Sequence, residues 1–189
     1  IRTPAHFCGV FGHKPTWGIV PMQGHELMSG VPDADLSVCG PLARDARDLQ
    51  LALGIMAKPA GRQATGWRLE LPTCSLDDLR GLKVAVWATD EMAPVNRETA
   101  QRVLDVAAKL ESLGAHVNCD ARPDFDTRKA HMTYQSLLTA VMSSAQPEDF
   151  LAAARVKAAG LDPADQSREA VVARANVMLH RDWIRHNFR

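Results

Sequence analysis

Residues that could do chemistry are scattered along this sequence, and few share a spacing that catalysis requires. The spacing of His6 and Cys8 leaves a base–nucleophile pair open, although nothing singles it out, and on a helix the two residues would face different sides. The same pair makes a weak metal site. Gly9, Gly12 and Lys14 superficially suggest a phosphate loop, but the P-loop spacing and the following Ser or Thr are missing. No HExxH, GxSxG or GxGxxG motif occurs. Taken alone, the residues of this sequence form no recognisable complete set of catalytic side chains.

Composition and charge narrow the class of protein. The 189 residues carry 22 basic and 22 acidic side chains, and their net charge of zero argues against nucleic-acid binding through bulk positive charge. Hydrophobic residues make up 46%, which is ordinary for a globular protein, and no apolar run is long enough to span a membrane. Four widely spaced cysteines predict reduced, mostly buried thiols in a cytoplasmic protein; these are Cys8, Cys39, Cys74 and Cys119.

The first 40 residues are rich in glycine and proline, which predicts tight turns and irregular backbone. A short helical turn over residues 5–8 should end at Gly9 in a left-handed cap, and residues 17–20 could form a short strand. Pro41 is expected to open a helix that runs to about Ala57. Residues 59–74 are expected to be a loop, and residues 75–78 a single helical turn.

The middle of the chain has the pattern of a βαβ unit. Residues 82–87 are mostly apolar, as in a central strand, and Asn96 can cap the helix that follows. Gly114 should end that helix, and residues 115–119 predict a second strand. A strand, a helix and a strand with short joints form a right-handed crossover, so the two strands should be parallel. The remainder predicts helices over about residues 125–144, 147–159 and 167–189, the last capped by Ser167.

Both ends of the sequence lack ordinary boundary signals. Ile1 is neither an initiator methionine nor the start of a signal peptide, and no glycine, proline or polar tail stops the last helix before Arg189. We therefore expect residues 1–189 to be part of a single larger domain that is truncated at both ends.

Two segments resemble the amidase signature family. In that family a Gly-Gly-Ser stretch precedes Ile-Arg-x-Pro-Ala-x-x-Cys-Gly and Gly-x-Lys-Pro-Thr-x-Gly, and residues 1–18 contain every fixed position of these two later motifs. Residues 40–49 resemble the family's Gly-Pro-hydrophobic-Ala-Arg-x-x-x-Asp block. The shared positions of the first segment are Ile1, Arg2, Pro4, Ala5, Cys8, Gly9, Gly12, Lys14, Pro15, Thr16 and Gly18. His13 departs from the leucine that is common there.

The resemblance implies an α/β fold, of which this chain would hold part: a mixed sheet flanked by helices, one clear βαβ unit and a helical C-terminal half. It also implies hydrolysis of a carboxamide by a Ser–Ser–Lys triad through an acyl-enzyme, with no metal and no organic cofactor. The nucleophilic serine would immediately precede Ile1, and the other two triad residues would lie further upstream. Lys14 belongs to the later Lys-Pro-Thr motif and is not the catalytic lysine. No catalytic residue of the triad therefore lies in this chain, which we expect to be inactive alone.

The resemblance leaves supporting roles for residues of this chain. Arg2 would hold the Gly-rich loop or contact an acidic substrate, and Cys8 would pack beneath the nucleophile. His131 and Tyr134, with Met132 and Met142, would wall the acyl channel. The expected partner is a small-molecule amide, with no nucleic acid and no membrane, and a homodimer of the full-length protein stays open.

Two alternative functions are weighed against a stand-alone amidase. One is the amidotransferase subunit of the same family, which makes amidated aminoacyl-tRNA with a partner subunit, although residues 180–183 look more like a stand-alone amidase. The other is a non-catalytic module that binds a partner through an open face. The sequence does not indicate which amide is the substrate.

Overall fold

The structure is a computed structural model and describes residues 1–25, 36–74 and 76–188. Eight helices and four short strands lie in this part of the chain, so the fold is mixed α/β, as predicted. In chain order they are α1 (Arg2–Cys8), β1 (Phe11–Gly12), β2 (Leu42–Ala43), α2 (Ala46–Met56), α3 (Gln63–Gly66), β3 (Lys83–Ala85), α4 (Arg97–Ser112), β4 (His116–Asn118), α5 (Thr127–Ser143), α6 (Glu148–Ala159), α7 (Arg168–Ala175) and α8 (His180–Asn187).

The chain divides into two compact units. The first contains Ile1–Leu71 and Gln135–Arg189, and the second contains Pro72–Tyr134. The first unit holds the antiparallel pair β1–β2, and the second holds the parallel pair β3–β4.

The predicted βαβ unit is confirmed in the second unit. Strands β3 and β4 run parallel, with Val84 opposite Val117. Between them α4 begins as expected, because the Asn96 side chain accepts a hydrogen bond from the Thr99 amide at 2.8 Å. Gly114 follows the helix with a φ of 98°. The expected central strand over 82–87 is shorter, and among the described residues β3 pairs only with β4.

The helix expected from Pro41 begins five residues later. Leu42 and Ala43 form strand β2. Asp45 then adopts an extended backbone, and its side-chain carboxylate accepts hydrogen bonds from the backbone amides of Arg47 and Asp48. A strand partner and a side-chain cap therefore override the proline signal. The predicted end is confirmed, since α2 closes at Met56.

Three other predicted elements differ. Residues 17–20 form a turn instead of a strand, closed by the Ile19 amide donating to the Thr16 carbonyl. The loop over residues 59–74 contains the short helix α3. Of the turn expected at 75–78, Ser75 lies outside the described residues, and residues 76–80 form no helix. The Asp78 carboxylate instead accepts from the Arg80 guanidinium and backbone amide, which lowers the pKa of Asp78.

The predicted C-terminal helix is two helices. Ser167 caps α7 as expected, with its hydroxyl accepting from the Ala170 amide at 3.3 Å. The helix then stops at Ala175, and the amides of Val177 and Met178 donate back three residues in a tighter turn. Leu179 is extended and starts α8. No glycine or proline marks this break, so no local pattern predicts it.

Small side chains dominate the interior. The buried apolar residues are Ala5, Val20, Val86, Ala107, Ala115, Leu137, Ala170, Val171, Ala173 and Ala175. The expectation of mostly buried thiols is wrong: all four cysteines are free, three are exposed and Cys39 is half-buried. No helix among the described residues is long and apolar enough to cross a bilayer.

Candidate functional site

Helix α1 gives the first motif segment a fixed shape. Pro4 stands in its first turn, where a missing N–H leaves no hydrogen bond unmade. Gly9 closes it in the left-handed conformation, at φ 63° and ψ 33°, which glycine adopts without a Cβ penalty. The Gly9 amide donates to the His6 carbonyl and the Val10 amide to the Ala5 carbonyl, the pattern of a Schellman cap. The predicted cap is confirmed, and it turns the chain directly into β1.

The two motif segments meet through strand pairing. Phe11 pairs with Ala43 and Gly12 with Leu42 in an antiparallel register. Just beyond the strands, the His13 amide donates to the Pro41 carbonyl at 3.1 Å. Segments about thirty residues apart in sequence are thereby joined into one site, which we call the motif site and define as residues 1–18 and 40–49.

Two glycines of the motif site lie against Ile1. A Cβ at Gly12 would lie 2.8 Å from the Ala5 Cβ and 3.2 Å from the Ile1 carbonyl oxygen. A Cβ at Gly40 would lie 2.9 Å from the Ile1 Cδ1 and would overlap the His13 carbonyl oxygen. Neither glycine has a positive φ, so what these positions require is space.

The charged residues of this segment have different surroundings. Lys14 donates from its Nζ to the Pro15 carbonyl at 2.6 Å, a local contact between neighbouring residues. Arg2 is exposed, and its guanidinium has no hydrogen bond or ion pair to the described residues. Cys8 is exposed at the other end of α1.

The channel residues named from sequence lie on α5. His131 and Tyr134 are one helical turn apart, so their side chains share a side of the helix. Both are exposed. They belong to the second unit, whereas Arg2, Cys8 and Met142 belong to the first.

The first unit also contains a cleft that the sequence analysis did not single out. It has a volume of about 570 Å³ and lies between the turn after Thr16 and the segment around α3. Its lining includes Trp17, Ile19, Gln63, Trp67, Arg68 and Leu69. Trp67 lies in a segment with no periodic pattern, so only the fold brings it to the same cleft as Trp17. Among the described residues, no three His, Cys, Asp or Glu side chains form a group that could hold a metal ion.

The motif site and the parallel βαβ unit together define an α/β protein. In this protein, strand pairing joins two sequence motifs into one structural element. A family model described as Amidase matches residues 1–176, and the chain belongs to the amidase family.

Curated relatives carry a narrower name. A glutamyl-tRNA(Gln) amidotransferase subunit of Brachyspira hyodysenteriae is 32% identical over 124 residues, covering 62% of this chain and 24% of the relative. The protein of the same name from Methanosarcina mazei is 32% identical over 117 residues, and that from a Geobacillus species is 36% identical over 118. Each of these two alignments covers 61% of this chain and 24% of the relative. The matched part of the chain thus spans about a quarter of the length of these relatives.

Proposed function

We propose that this chain is part of an enzyme that hydrolyses carboxamides through an acyl-enzyme, and that it supplies the support directly after the nucleophile. The observation that carries the proposal is the motif site, in which β1–β2 pairing fixes Ile1 against both family segments. A nucleophile attached to Ile1 would inherit that fixed position, and catalysis depends on such positioning. Both compact units would then belong to one amidase domain.

The chemistry follows from the family resemblance. A neutral lysine takes a proton through a bridging serine, the nucleophilic serine attacks the amide carbon, and ammonia or an amine leaves. Backbone N–H groups before that serine stabilise the oxyanion. Water then releases the carboxylate. In this proposal all three triad residues lie outside residues 1–189, and this chain orients the nucleophile.

Ammonia release tests the proposal. We expect the full-length protein to release ammonia from simple aliphatic or aryl amides, and purified residues 1–189 to release none above the uncatalysed rate. Turnover by residues 1–189 alone would place a complete site in this chain and contradict the proposal. A full-length protein with no turnover on any amide would contradict it as well.

Arg2 is proposed to hold the loop that carries the oxyanion donors or to contact an acidic substrate. Arg2 lies one residue beyond Ile1, is exposed and has no hydrogen bond or ion pair to the described residues, so its guanidinium is available for either contact. Arg2→Ala in the full-length protein should lower kcat if the loop role holds, and should raise KM selectively for acidic amides if the substrate role holds. The control is Arg62→Ala, because Arg62 is an exposed arginine just before α3 and is not part of residues 1–18 or 40–49. Equal activity of Arg2→Ala and the control would exclude both roles.

Cys8, His131 and Tyr134 are proposed to support the site, the first beneath the nucleophile and the others along the acyl channel. Tyr134→Ala should then change the preferred acyl length of the full-length enzyme. Cys8→Ser should preserve turnover, since Cys8 is not a nucleophile in this proposal. If Cys8→Ser folds normally but loses turnover, the assignment of Cys8 as a supporting residue and not a nucleophile would be overturned.

A second candidate function is an amidotransferase component that transfers ammonia to a tRNA-bound glutamate. The names of the relatives favour it. It predicts that the full-length protein needs a partner chain to produce amidated tRNA, whereas the first proposal predicts ammonia release from simple amides without tRNA. The third alternative, a non-catalytic binding module, predicts that residues 1–189 fold stably alone.

A further inference from the structure

Gly12 and Gly40 come from different motif segments, yet both pack against the same residue. A Cβ added to Gly12 would lie 3.2 Å from the Ile1 carbonyl oxygen and 3.3 Å from the Ile1 Cγ2, and one added to Gly40 would lie 2.9 Å from the Ile1 Cδ1. Ile1 is therefore contacted on its backbone and along its side chain. We call Gly12 and Gly40 the glycine pair.

These contacts are close enough that a methyl group could not be added without movement. A Cβ contact under 3.0 Å forces a neighbour to shift, and one of 3.0–3.4 Å requires a shift of a few tenths of an ångström. The neighbours at Gly12 are the Ala5 Cβ, within α1, and the carbonyl oxygen and Cγ2 of Ile1. None of these atoms is the far end of a flexible side chain, so the strain would pass to Ala5 and Ile1.

We propose that the glycine pair positions the nucleophile by fixing Ile1. Because neither glycine has a side chain, Ile1 can take the position that fast acyl transfer requires. This inference rests on the proposed function, in which the nucleophilic serine is bonded to the Ile1 nitrogen. Gly12 and Gly40 are positioning residues, because they would act on the nucleophile through Ile1. Strand pairing of β1 with β2 holds the glycine pair in place, because Gly12 lies in β1 and Gly40 lies just before β2.

The experiment measures covalent labelling of the full-length protein by an alkyl fluorophosphonate. The serine oxygen bonds to phosphorus, fluoride leaves and the serine proton passes to the basic lysine. The measurement yields two quantities: the second-order rate constant, which depends on how well the serine is positioned, and the final labelled fraction, which depends on how much protein is folded.

Gly12→Ala should slow labelling without lowering its final extent. A misplacement of about 1 Å costs about 100-fold in rate, so a few tenths of an ångström should cost about four- to tenfold. The matched control is Gly54→Ala, because Gly54 lies in α2 and a Cβ there meets no atom within 4 Å. The control should label at the wild-type rate. Gly40→Ala should lower thermal stability more than Gly12→Ala does, since its closest contacts are with the His13 carbonyl oxygen and the Pro15 Cδ rather than with Ile1.

A double variant separates positioning from stability. Gly12→Ala with Ala5→Gly removes the closest contact, within α1, but leaves the contacts with the Ile1 oxygen and Cγ2. We expect thermal stability to recover towards that of Ala5→Gly alone, while labelling stays about four- to tenfold slow. Recovery of the labelling rate together with stability would overturn the inference, as would a Gly12→Ala variant that labels at the control rate.

The wild-type protein distinguishes this inference from the function on which it rests. If the wild type is neither labelled nor active on amides, the proposed function fails and takes the inference with it. If the wild type is labelled and Gly12→Ala merely lowers the labelled fraction at an unchanged rate, the glycine pair is structural and only the inference fails.

Discussion

Asp126 shows how a single carboxylate stabilises the start of a long helix. It lies just before α5, and its side chain accepts a hydrogen bond from the Lys129 amide at 3.0 Å. That backbone N–H is the main reason why the pKa of Asp126 is lowered, with a further contribution from the Lys129 ammonium. The ionised form is thus favoured when the helix is formed.

The lowered pKa predicts how the first turn of α5 responds to acid. A carboxyl group with a lower pKa in the folded state contributes stability above its unfolded pKa of about 3.9, and the contribution is lost as the pH falls through the folded value. Asp126→Ala should therefore speed amide hydrogen exchange in the first turn of α5 at about pH 6 to 7, and this difference should disappear in strong acid.

Asp124→Ala is the matched control for that prediction. Asp124 is exposed two residues earlier and has no hydrogen bond or ion pair to the described residues. It should leave exchange in α5 unchanged at every pH. The exchange rates of Asp126→Ala and wild type could still differ at a pH below both the folded and the unfolded pKa of Asp126. That result would show that the effect does not come from the carboxylate charge.

Helix α4 is an element whose start the sequence predicts well. The Asn96 side chain satisfies the Thr99 amide, and Glu98 places a negative charge in the first turn. Asn96→Ala should destabilise the end of the helix by about 1 kcal/mol. Amide exchange in its first turn should then rise about fivefold, measured in the full-length protein by hydrogen–deuterium exchange. Asn96→Asp keeps an acceptor and should exchange like wild type. Equal rates in the alanine and aspartate variants would contradict a capping role.

Several helix caps with local signals were predicted, whereas strand β2 and the break between α7 and α8 were not. Asn96, Ser167 and Gly9 act on backbone groups within a few residues, so their caps could be predicted from the sequence. Strand β2 depends on Phe11 and Gly12, about thirty residues away, and its residues carry a helix-like pattern. The break between α7 and α8 likewise has no local marker, since its residues can all be helical.

At the scale of the whole molecule, the distribution of large side chains is unusual. All five phenylalanines and three of the four tryptophans are exposed, whereas six of the ten buried apolar residues are alanines. Burying one large apolar side chain contributes about 1.5–3 kcal/mol. The described chain thus leaves much of its possible hydrophobic stabilisation unused, and extensive apolar surface promotes association.

This distribution predicts the behaviour of residues 1–189 in isolation. We expect the purified segment to aggregate or to unfold without a cooperative transition, as followed by light scattering and calorimetry. The full-length protein is the control and should melt cooperatively. A soluble monomer of residues 1–189 with a sharp melting transition would contradict the prediction and favour the non-catalytic binding module.

The sequence by itself determined the family segments, the order of the βαβ unit and the caps at Gly9, Asn96 and Ser167, because each of these depends on residue types at short spacing. Only the tertiary structure decided that strand pairing joins the segments 1–18 and 40–49, that Gly12 and Gly40 both lie against Ile1, and that Trp67 and Trp17 line one cleft. Contacts of this kind depend on which distant segments the backbone brings within van der Waals distance, and no local pattern specifies that distance. The same reason explains the cysteines: a thiol is buried only where other parts of the chain cover it.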